Sequence, residues 1–160
     1  MGSLVLIHVA ISLIAIVAGL VVMFAMLESG RMPGLTAIFL LSTILTSATG
    51  FIIPPFLTDK LLPSHAFGIL SLVLLAIACF ALYGQNLSGK WRWIYVVTAL
   101  VSLYLNTFVL VIQSFLKIPA LSAVAPGVPP TGPVFGAVQL VVLAFFAFMT
   151  FRAVRRFHPA

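Results

Sequence analysis

Acidic side chains are almost missing from this chain: Glu28 and Asp59 are the only two in 160 residues, and charged residues of both signs make up 6% of the sequence. A water-soluble domain carries about 25% charged residues, so water is excluded as the solvent for most of this surface. Cysteine is reduced to Cys79, inside an apolar run, which rules out an intrachain disulfide and leaves a small packing residue. The shortage of carboxylates also removes chemistry. Ser64 stands next to His65, but no acidic group orients that histidine and no G-x-S-x-G turn surrounds the serine, so hydrolysis is disfavoured. No Asp, Glu, Lys or Arg lies deep inside an apolar run, Arg92 standing at the start of its own, which disfavours ion-coupled transport and proton relays.

Apolar residues fill the space left by these absences: 63% of the chain is hydrophobic and the mean hydropathy is +1.30. Five runs are long enough to cross a hydrocarbon core about 30 Å thick as helices. They are Leu4 to Leu27, Leu35 to Phe56, Ser64 to Tyr83, Trp91 to Leu116 and Pro133 to Phe151. The sequence therefore predicts an all-α fold, a polytopic transmembrane helix bundle forming a single domain over residues 1–160. The first run has no basic residue before it and no Ala-x-Ala motif after it, and reads as an uncleaved span. The last connection, Lys117 to Gly132, contains Pro119, Pro126, Pro129 and Pro130 and is expected not to be a regular helix.

The net charge of +6 does not point to nucleic acid, because six of the eight basic residues stand beside the ends of the runs, where they meet lipid headgroups or set orientation. With five spans, Arg31, Lys90, Arg92, Arg152, Arg155 and Arg156 fall on one side and Lys60 and Lys117 on the other. The excess predicts a cytoplasmic C-terminus and an outside N-terminus, with Trp91, Trp93 and Tyr83 at the cytoplasmic interface.

Polar side chains within such spans turn away from lipid and mark helix contacts or a cavity. His8, Ser12, Ala15 and Gly19 share one stripe of the first span; Thr43, Ser47 and Gly50 share one in the second, with Thr46 and Thr49 alongside. In the third span His65 is followed by Gly68 and Ser71; in the fourth Thr98, Ser102, Asn106 and Gln113 fall together; the fifth holds Gln139. Small residues at this spacing are ordinarily close packing of helices. At 1.5 Å per residue, His8 and Gln113 come about 5 Å inside the outer boundary, His65 at it, Gln139 about 9 Å in and Asn106 near the midplane. These five residues, His8, His65, Asn106, Gln113 and Gln139, predict a ligand pocket open to the outside or the outer leaflet, with the proline-rich segment after Lys117 as its cover.

Three functional expectations follow. One is an accessory or assembly subunit with a membrane protein partner or a second copy of itself, the polar groups serving as helix glue. Another is a binding protein or carrier for a lipid or other apolar small molecule. The third is redox: His8 and His65 as axial ligands of a b-type haem, or a quinone held with Gln113 and Gln139.

The segments Thr46-Ser47-Ala48-Thr49-Gly50-Phe51, Pro63 to Leu72, Trp91-Arg92-Trp93 and Leu105-Asn106-Thr107-Phe108 together resemble small bacterial inner-membrane proteins of unassigned function. The resemblance covers most of the chain and implies a bacterial cytoplasmic membrane. Some of these segments are also similar to b-type cytochrome-like membrane proteins with histidines at span ends. Length and span number are similar to those of the translocator protein family, which binds porphyrins and cholesterol, but that family's tryptophan-rich spans are missing here. That likeness is one of architecture alone.

Overall fold

The computed structural model describes residues 2–52, 63–127 and 129–159, with residues 63 and 64 described by backbone alone. The protein is an all-α bundle: α1 (Ser3–Leu27), α2 (Pro33–Gly50), α3 (Pro63–Cys79), α4 (Trp91–Lys117), α5 (Pro119–Val124) and α6 (Pro133–Arg156). There is no strand among the described residues. Five helices are long and apolar enough to cross a membrane, α3 together with the π-helical turn Phe80–Gly84 that continues it. The shortest, α2, has 18 residues and so spans about 27 Å. The predicted second span runs to Phe56, and its part beyond Ile52 lies outside the described residues, as do Asp59 and Lys60.

The proline-rich segment departs from expectation. Residues 119–124 form the short helix α5, because Pro119 occupies the first turn, where its missing N–H has no intrahelical partner to lose. Prolines at the starts of α2 and α6 use the same position.

The core sits where α1, α2 and α4 meet. Gly19 makes this approach close: a Cβ there would lie 2.6 Å from Leu103 and 2.8 Å from Phe39, both with no exposed surface. Helices in lipid gain no hydrophobic drive from one another, so contact this close, filled by small residues, is what holds them together. Ala15, Ala18 and Ala99 add to the same seam, each buried. Hydroxyls on these faces are satisfied within their own helices: Thr98 donates to the Ile94 carbonyl at 2.7 Å and Ser102 to the Thr98 carbonyl at 2.9 Å.

One end of the bundle is tied by polar bonds. Arg92, at the start of α4, donates through Nη1 to the carbonyls of Val154 at 2.7 Å and Phe157 at 2.8 Å, which are left open at the C-terminus of α6. The His158 backbone N–H donates to the Ser29 hydroxyl at 2.8 Å. The α1–α2 turn, the start of α4 and the end of α6 therefore share one end, bringing Arg31, Lys90, Arg92, Arg155 and Arg156 to the same side of the molecule.

Candidate functional site: a cavity at the other end

At the opposite end, the N-terminal halves of α1 and α3 and the C-terminal halves of α2 and α4 diverge around a half-open cavity of about 540 Å³. Its walls are mainly apolar, with Val5, Val9 and Leu13 from α1 and Leu105, Val109 and Leu110 from α4. The stripe His8, Ser12, Ala15, Gly19 explains why the cavity stops where it does. Its first two residues line the open end, whereas Ala15 and Gly19 are buried in the seam with α2 and α4.

His8 is half-buried, and its Nδ1 lies 2.7 Å from the Thr49 hydroxyl of α2. That hydroxyl has a single proton, and it is directed to the Leu45 carbonyl at 2.7 Å, with the Thr46 carbonyl at 3.2 Å. Nδ1 is thus the donor and Thr49 the acceptor, so the neutral ring carries its free lone pair on Nε2. Ser12 donates to Asn106 Oδ1 at 3.4 Å, joining α1 to α4, while Asn106 Nδ2 is buried and has no hydrogen-bond partner. His65 is buried and stacked on the Phe51 ring, with centroids 5.5 Å apart and planes 7° from parallel. Phe51 in turn lies over Gly68, where a Cβ would come within 2.9 Å of its ring. Gln113 is exposed on the cavity wall, and Lys117 and Ile118 stand at the rim.

Four of the five predicted pocket residues therefore line one cavity: His8, His65, Asn106 and Gln113. Gln139 does not. It is buried between α6 and α4, and its Nε2 donates to the Phe108 carbonyl at 3.3 Å while Oε1 has no partner. Phe108 follows Asn106 by two residues, about 200° around the helix, so α6 meets the side of α4 that faces away from the cavity. Depth along a helix, on which Gln139 was grouped with the others, says nothing about the side from which α6 approaches. The predicted cover is narrower than expected: of the segment from Lys117 to Gly132, only Lys117 and Ile118 line the cavity among the described residues.

Two contributors went unrecognised in the sequence. Phe51 looked like the end of an apolar run, yet it is the platform for His65. Lys117 read as a marker of orientation alone, yet it is a charged group at the cavity rim. Among the described residues no group of three or more His, Cys, Asp or Glu side chains is placed to hold a metal ion.

The arrangement defines a multi-pass α-helical membrane protein with a mostly apolar, weakly polar cavity confined to one end. Comparison with family models, curated proteins and solved structures finds no match to this chain.

Proposed function

We propose that this protein resides in a bacterial inner membrane, N-terminus outside and C-terminus cytoplasmic, and binds a small apolar or amphipathic molecule in the cavity between α1, α2, α3 and α4. The cavity carries the reading. Its volume, about 540 Å³, falls in the range of small-molecule sites, roughly 300–1,000 Å³, as does its pattern of apolar walls with a few convergent polar groups. At about 30 Å³ per water-sized group it has room for roughly 18 such groups, which suits a single-chain lipid or a one-ring compound with a short tail. The orientation rests on the excess of basic residues at the opposite end, and the membrane on the resemblance of residues 46–51 and 63–72 to bacterial inner-membrane proteins. Under this orientation the cavity lies in the outer half of the bilayer.

Native mass spectrometry of the chain in mild detergent, with an absorption spectrum of the same preparation, tests the proposal. One small-molecule adduct per chain and a spectrum without a Soret band are expected. A bare chain that takes up no apolar compound on titration overturns it, and a Soret band replaces it with haem ligation by His8 and His65.

A second reading, an accessory subunit of a larger membrane assembly, draws support from α6. Only 11% of its most apolar stretch is buried, against 44% for α4. That reading expects a larger complex in the mildest detergents and an empty or lipid-filled cavity.

A further inference from the structure

Several hydroxyls around the cavity direct their protons to carbonyls, which decides which atom of His8 is left as an acceptor. Ser12 spends its proton on Asn106, Thr46 on the Ser42 carbonyl at 2.8 Å, and Ser114 on the Leu110 carbonyl at 2.8 Å. Thr49 spends its proton on Leu45 and holds His8 with Nδ1 protonated, so Nε2 is the acceptor of a ring that lines the cavity. Among the described residues nothing donates to that nitrogen. In an apolar site an acceptor left unpaired is costly, and a ligand that supplies the missing proton is favoured over one that does not.

We propose that the cavity selects an amphiphile bearing a hydroxyl group, whose O–H donates to His8 Nε2 while its hydrocarbon part lies along Val5, Val9, Val109 and Leu110. His8 is the residue that reads the head group, and Thr49 positions it by fixing the tautomer. This inference rests on the ligand-binding reading above. An ionised carboxylate is disfavoured, since it brings further lone pairs to His8 and, among the described residues, finds a cation only at Lys117 on the rim.

The test uses the full chain in lipid nanodiscs with tritiated 1-dodecanol as probe, displaced by unlabelled dodecanol, by methyl dodecyl ether or by dodecanoate. Dodecanol is expected to displace the probe about tenfold better than the ether, equivalent to about 1.4 kcal/mol and in keeping with one hydrogen bond in an apolar site. The ratio is expected to fall to about one in His8→Phe, which keeps a planar ring. In Thr49→Val, which keeps the imidazole but frees its tautomer, the ratio is expected to fall part of the way, and nitrogen NMR of His8 is expected to show loss of the single protonated-Nδ1 form. Saturable binding with dodecanol and the ether equal in the wild type overturns the hydroxyl inference and leaves the cavity reading intact. So does a tenfold ratio that persists in His8→Phe. A preference for dodecanoate that disappears in Lys117→Met assigns the head group to an anion and likewise overturns it. Absence of any displaceable probe overturns both readings.

Discussion

Asn106 shows how much of a membrane-embedded site is decided at single atoms. Its Oδ1 takes the Ser12 proton, but its Nδ2 is buried with nothing to donate to. Leaving such a donor unpaired costs about 1–3 kcal/mol, whereas Ser12 can return its own proton to the preceding turn of α1 if Asn106 is lost. Asn106→Leu is therefore expected to raise thermal stability in detergent by about 1 kcal/mol; a fall of that size means that Nδ2 has an acceptor. That His8, His65, Asn106 and Gln113 line one cavity was legible because an imidazole or amide in a long apolar run has few places to go. Their partners were not. Nothing in sequence spacing pairs His8 with Thr49, 41 residues away, since that contact depends on how α1 and α2 are rotated against each other.

Among elements, length and hydrophobicity are local properties, which is why all five long helices could be read directly and why their described ends differ from expectation by a few residues. Packing faces are less local. Gly19 was legible as a small residue on a stripe, but its place against Phe39 and Leu103 depends on three helices at once. Gly19→Ala is expected to destabilise the bundle by about 1–3 kcal/mol, read as a lower melting temperature, because neither neighbour has free space to move into. A neutral effect contradicts the close approach of α1 to this seam. Gln139 is the counterpart: its polarity was legible, but the face of α4 that receives α6 was not, and the residue serves that helix contact rather than the cavity. The clamp of Arg92 on the end of α6 is a second inter-element contact. Arg92→Met keeps much of the side-chain bulk but leaves two helix-terminal carbonyls without their charged donor. A loss of about 1.5–3 kcal/mol is expected, with faster proteolysis of the C-terminal residues as a second readout.

At the scale of the whole molecule the bundle is polarised, with polar clamps and basic residues at one end and a cavity at the other. Replacing Cys79 by Ala leaves a chain without cysteine, into which single cysteines can be placed at Ser88 and at Pro126. In intact bacterial cells a membrane-impermeant maleimide is expected to label the Pro126 position and to reach the Ser88 position only after lysis; the reverse pattern inverts the orientation. The central claim, that the cavity is a binding site rather than a gap between helices, is tested most directly by filling it. Val109 lies on its wall, and Val109→Trp places an indole in the space. Saturable dodecanol binding at one site per chain is expected for the wild type and none for Val109→Trp, with the helical circular dichroism of the two unchanged. Equal binding by both, or none by the wild type, contradicts the account.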